Sequence, residues 1–140
     1  MRKFVVDIET DDIKAKVIHC IVAKDIDKGD VLSWHGDTLK DFAKWSESVD
    51  IFIMHNGISF DAPILNKLTG SNIKLAQVRD TLILSQLSDP MLEGGHSLKA
   101  WGQRLGFGKI EYNDFSHFNE EMLKYCIQDV ELTYKLYKHL

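Results

Sequence analysis

The sequence lacks any run of about 18 apolar residues, and its N-terminus lacks the charged-then-apolar layout of a secretion signal. Both absences predict a cytoplasmic chain with no membrane partner. Cysteine is scarce: Cys20 and Cys126 fall in a predicted strand and a predicted helix, with no CxxC or Cys/His ligand spacing. They read as small core residues in a reducing compartment, without chemistry of their own. No Pro/Gly/Ser-rich stretch, low-complexity segment or internal repeat marks a second domain, so residues 1–140 are expected to form a single one. Positive charge is also short. A formal charge of −4 leaves no basic surplus of the kind that grips a nucleic-acid backbone unaided.

What the chain does have is enough apolar content, 44% of residues, to build one two- or three-layer core. Alternation and β-branched content predict strands over about 3–9, 16–25 and 29–35, separated by turn residues Asp11 and Asp12, then Asp27, Lys28 and Gly29. These form an antiparallel meander. The period then changes: residues 38–48 carry helical spacing behind a cap at Asp37, and "DIFIMHN" suits a strand buried on both faces. That strand follows a helix, so it should run parallel to the first through a right-handed crossover. Further helices are expected near 62–69, 81–88, 97–105 and 119–139. The class is α/β, with a mixed sheet of three antiparallel strands plus parallel ones, flanked by helices. Sites in such sheets gather at the carboxyl ends of the parallel strands.

Acidic residues stand at those ends. Asp7 and Glu9 are two apart on the first strand, so they share one face while Phe4, Val6 and Ile8 fill the other. Taken alone, the pair reads first as a solvated strand end, since so short a motif often matches by chance. Asp61 follows the parallel strand and opens a helix with Pro63 in its first turn, where it can serve as an N-cap or as a third ligand. Asp129 lies on the stripe Phe118, Met122, Tyr125, Asp129, Leu132, Leu136 that should face the core. A buried carboxylate needs a cation or a proton, and a salt bridge to Lys or Arg is the simplest source. Four converging carboxylates, however, raise one another's pKa unless positive charge compensates, and all-oxygen ligands suit Mg²⁺ or Mn²⁺. Tyr125, one turn from Asp129, should point its phenol into the same place. Its ordinary pKa of about 10 makes it an orienter of water rather than a base. Asp80, and His96 with Ser97, read as helix caps; Trp34, Trp45 and Trp101 read as packing residues. Lys99, Arg104 and Lys109 could guide a strand toward the site, but read first as solvated surface.

In order, Asp7-x-Glu9, Asn56-x3-Phe60-Asp61 and Tyr125-x3-Asp129 resemble the three motifs of the DnaQ-like 3′–5′ exonucleases, the DEDD group on a ribonuclease H-like fold. The histidine subgroup has its histidine five residues before the last aspartate, where this chain has Lys124, so the spacing resembles the tyrosine branch, DEDDy. "DTLILSQL", "HSLKAWGQRLG" and "FNEEMLKYCIQDVELT" extend the likeness to the exonuclease domains of phage family A DNA polymerases, from residue 4 to about 135. The segment between "RLG" and "FNEEM" is shorter than in those enzymes.

The resemblance implies two divalent cations, Mg²⁺ or Mn²⁺, held by Asp7, Glu9, Asp61 and Asp129, with Tyr125 orienting the attacking water. Thr10, Ile13, Asn56 and Phe60 would contact the terminal nucleotide. It implies release of nucleoside 5′-monophosphates from single-stranded or frayed DNA 3′ ends, in a bacterial or phage-infected cytoplasm. The chain is expected to be stand-alone or the proofreading subunit of a split phage-type polymerase. An exoribonuclease acting on short RNA and a non-catalytic nucleic-acid-binding subunit are the alternatives.

Overall fold

The computed structural model describes residues 1–140. Five strands form one sheet in the order β3-β2-β1-β4-β5: β1 (Lys3–Thr10), β2 (Ile18–Asp25), β3 (Val31–His35), β4 (Ile51–Met54) and β5 (Val78–Asp80). β1, β2 and β3 are the expected antiparallel meander, and β4 runs parallel to β1 with Phe4 opposite Phe52. The helices are α1 (Phe42–Ser46), α2 (Ala62–Thr69), α3 (Thr81–Ser88), α4 (Leu98–Leu105) and α5 (Glu120–His139).

The sheet separates two cores. On one face Phe4, Val6, Ile8, Trp34, Phe42 and Phe52 pack with α1 and α2, and Trp45 closes edge-on against Phe4 at 4.8 Å between ring centroids. Edge-to-face pairs of this kind add to what area burial alone supplies. On the other face Val5, Val22 and Ile53 pack against Met122, Cys126 and Val130 of α5. α5 starts cleanly because Asn119 accepts from the Met122 N–H at 2.9 Å and Glu120 and Glu121 offset the positive helix end. Its buried line runs through Met122, Cys126, Asp129, Val130, Thr133 and Leu136, so Tyr125 stands at the margin of the stripe rather than in it. No helix is long and apolar enough to cross a membrane.

Three local features depart from expectation. Residues 38–48 are not one helix: a 3₁₀ segment, Gly36–Asp41, precedes the short α1. Thr38 bonds back to both the N–H and the C=O of His35, so the turn begins there and Asp37 is not its cap. β5 went unforeseen because three residues are too few to show a period; only pairing with β4, Met54 opposite Asp80, makes it a strand. A wide π-type turn, Gly57–Asp61, joins β4 to α2.

Candidate active site

β1 delivers the first two acids. Its even positions enter the aromatic core, so Asp7 and Glu9 emerge with Val5 on the α5 face. The register with β2 shifts between Glu9 and Thr10, leaving His19 without a partner on β1. Such bulges bend a strand and re-aim the side chains at its end. The displaced His19 uses its Nε2 to bond the Phe115 carbonyl at 2.7 Å, which ties the irregular segment before α5 to the end of the sheet.

Asp61 reaches the site through the turn after β4. Asn56 takes φ 65°, a left-handed backbone that few residues other than glycine adopt, and Gly57 follows because a Cβ there would lie 2.4 Å from the Met54 Cβ. Asp80 holds this turn: its carboxylate accepts from the N–H of Asn56 at 2.9 Å and of Ile58 at 3.1 Å, as well as capping α3 through Leu82 at 3.0 Å. Asp61 itself caps nothing. It already has helical backbone angles, its side chain bonds no N–H of α2, and its Oδ2 is buried without a partner.

Asp129 meets the simpler expectation only halfway. Lys109 Nζ lies 3.1 Å from its Oδ2, a salt bridge, yet Oδ1 is buried and unpartnered. Lys109 also stands over the Tyr125 ring, 5.0 Å from its centroid, so it belongs to the site and not to a solvated surface. Tyr112 and Phe115 enclose Tyr125 further, at 5.8 and 6.1 Å between centroids. Cys126, read from the sequence as core alone, is core and also borders the acids: its Sγ lies 3.5 Å from Asp7 Oδ2.

The electrostatics follow from this crowding. Burial, then the neighbouring Asp129, lifts the Asp7 carboxyl to about 7. Burial and then Asp7 push Glu9 up to about 11, so without added positive charge it is protonated at neutral pH. Asp61 is raised by burial and then by Asp7 and Asp80; Asp129 is raised by burial, with Lys109 pulling the other way. Burial draws the Lys109 ammonium downward, but Asp129 and Tyr125 outweigh it and it stays above its ordinary value. Burial and then Asp129 hold the Tyr125 phenol above its usual range, so it remains protonated.

Thr10, Ile13 and Phe60 line a cavity of about 340 Å³ together with Glu9 and Phe115. Ile13 is 83% exposed and forms its rim. Asn56 is exposed and sets the turn. Trp34 and Trp101 are buried as expected, and Ser97 caps α4. His96 instead bonds Ser85 at 2.5 Å. Cys126 was legible as a neighbour of the site, since it lies three residues before Asp129 on the same buried line. Lys109 was not, because it sits in a segment with no period to place it.

The donor set fits a divalent cation. Two buried carboxylate oxygens lack partners beside acids that burial pushes toward protonation, and a bound cation would relieve both; hard oxygen ligands suit Mg²⁺ or Mn²⁺.

No protein-family model matches the chain. The fold is ribonuclease H-like, and the likeness to known proteins extends over nearly the whole chain. Among curated proteins it is similar to the DNA-directed DNA polymerase of Enterobacteria phage T3, 29% identical over 184 residues, covering 96% of this chain and 26% of the polymerase. The chain thus spans about a quarter of the length of that relative, and the aligned region is longer than the 140 residues here, so the polymerase carries insertions within it. Among solved structures, Brucella melitensis NrnC with bound Mg²⁺ superposes with a TM-score of 0.71 at 22% identity, covering 97% of this chain and 70% of that one. Exonuclease X in complex with 5′ overhanging duplex DNA superposes with a TM-score of 0.61 at 13% identity, covering 99% and 93%.

Proposed function

We propose that this chain is a single-domain, metal-dependent 3′–5′ exonuclease that releases nucleoside 5′-monophosphates from DNA 3′ ends. The observation that carries the reading is the pair of unpartnered buried oxygens, Asp61 Oδ2 and Asp129 Oδ1, on the acids whose sequence motifs also include Asp7 and Glu9. Asp7, Glu9, Asp61 and Asp129 would hold two cations. When bound, these supply Lewis-acid chemistry: they acidify water and stabilise charge on the phosphate and the leaving 3′ oxygen.

The chain's own groups do the rest. Tyr125 keeps its proton and orients water by hydrogen bonding rather than by acting as a base. Lys109 keeps its charge beside Asp129 and adds a fixed positive group at the edge of the centre. Thr10, Ile13 and Phe60 receive the terminal nucleotide in the cavity next to Glu9. A pocket of this size takes one unstacked base, so single-stranded and frayed ends are preferred over paired ones. With a net charge of −4, grip on the rest of the strand is weak, and sustained digestion depends on a partner such as a DNA polymerase.

The test is digestion of a 5′-labelled single strand with Mg²⁺ or Mn²⁺. A ladder of products shortened from the 3′ end is expected, against immediate release of label as a mononucleotide for the opposite polarity. An intact strand would falsify the reading.

A further inference from the structure

The segment that joins α4 to α5 has no secondary structure, and residues 108–118 form no backbone–backbone hydrogen bond. Side chains hold it instead. Gln128 donates to the Gly108 carbonyl at 2.8 Å, Asn119 to the Tyr112 hydroxyl at 2.6 Å, and the His35 ring stacks on Phe118 at 4.4 Å between centroids. A further anchor, His19, acts beside the nucleotide cavity. Only 8% exposed, it sits where the bulge opposite Glu9 and Thr10 leaves it without a partner on β1. A carbonyl can only accept, so the 2.7 Å contact with Phe115 requires the proton on Nε2. The Phe115 side chain in turn lines the cavity of about 340 Å³ with Thr10, Ile13 and Phe60, and Tyr112 backs its ring edge-on at 5.4 Å.

We infer that His19 is a positioning residue for the terminal nucleotide: by donating to the Phe115 carbonyl, it holds the Phe115 ring as a wall of the cavity that receives an unstacked base. The inference rests on the reading that this cavity takes the terminal nucleotide, and adds a residue that acts on the nucleotide only through Phe115. An aromatic wall binds a base by stacking, without regard to which base it is. It does so at full strength only if the ring is already in place. Ordering a segment that lacks backbone bonds at the moment of binding costs affinity, and an anchor that orders it beforehand spares that cost. The wall meets the base equally in the bound substrate and in the transition state, so His19 governs binding and leaves the chemical step alone.

The test uses the full chain with Mn²⁺ and two readouts: steady-state digestion of a 5′-labelled single strand, and equilibrium binding of thymidine 5′-monophosphate. His19→Leu should raise KM and weaken monophosphate binding about fivefold to tenfold, with kcat altered less than about twofold. His19→Gln, whose amide N–H can stand in for Nε2–H, should restore both to within about twofold of wild type, whereas His19→Asn, whose amide stops short of the carbonyl, should not. Phe115→Ala should weaken binding about tenfold, and adding His19→Leu to it should cost less than about a further twofold, because the histidine acts through the ring. A fall in kcat as large as the fall in kcat/KM for His19→Leu, equal binding by His19→Gln and His19→Asn, or full additivity with Phe115→Ala overturns the inference. The glutamine and asparagine variants decide it even if His19→Leu does not fold. Digestion of DNA that is indifferent to His19 removes this inference alone. Monophosphate binding that depends on His19 and Phe115, without digestion of the strand, removes the nuclease reading alone.

Discussion

One strand presents two unlike surfaces. The even positions of β1, Phe4, Val6 and Ile8, sink into a layer where each apolar group meets another: Phe4 against Trp45, Trp34 against Phe42 at 5.2 Å. Two residues beyond Val5 on the odd face, Asp7 and Glu9 stand with the Cys126 thiol and near Asp61 and Asp129, of which Asp61 Oδ2 and Asp129 Oδ1 are buried without a partner. The first face gains stability from burial, at about 25 cal/mol per Å² of apolar area removed from water. The second forgoes it: buried carboxylates repel one another and are pushed toward protonation. A fold that stores charge repulsion on one side of a strand has its surplus stability on the other, and function and stability should therefore respond oppositely to substitution on the two faces.

The sharpest break of that symmetry is Asp7→Asn. Nucleotide release should fall about a thousandfold or more, while the chemical midpoint of unfolding in chelator rises, because a repelling charge is gone. Equal stability loss at both faces would contradict the comparison. Phe4→Ala should do the reverse, costing about 3–5 kcal/mol in denaturant titration. Its activity, measured where the protein remains folded, should change little.

A pH series probes the charged face directly. An unfolded aspartate titrates near 3.9, whereas Asp7 in the cation-free fold titrates at about 7, so the folded state binds more protons between those values. Stability present at about pH 4 is therefore lost as pH rises through about 7, and Glu9 continues the loss toward about 11. Unfolding midpoints at acid and mildly alkaline pH, with chelator, should show the decline; saturating Mn²⁺ should flatten it. A cation-free chain that instead gains stability over this range would refute the raised carboxyls.

Smaller effects mark the boundary between the faces. Asp80→Ala removes the acceptor for three backbone N–H groups of the Asn56 turn and α3, costing about 1–3 kcal/mol in denaturant titration and displacing Asp61. Tyr125→Phe should lower nucleotide release about tenfold to a hundredfold with Mn²⁺ binding unchanged, since it deletes one hydroxyl at the margin of the stripe.

Much of this was open to a reader of the chain. The meander, the parallel β4, α2, α3 and α5 follow from period and caps, and Asp7 with Glu9 on one face follows from strand geometry alone. Other features have no local signal. β5 exists only as a partner of β4, and Asp80, legible as a cap, holds the Asn56 turn because β5 carries it there. Lys109 meets Asp129 across 20 residues of chain, through a segment without repeat or cap. Asp61 was legible both as a cap and as a ligand, and the wide turn at Gly57–Asp61 excludes the cap by giving it helical angles before α2 begins.

The sequence by itself determined that acids would stand at the ends of buried elements, because side-chain period is set by backbone geometry residue by residue. Only the tertiary structure decided what those acids face. Whether a carboxylate meets a lysine, a thiol or no partner depends on elements far apart in the chain, and that choice sets how strongly burial and neighbouring acids raise its pKa.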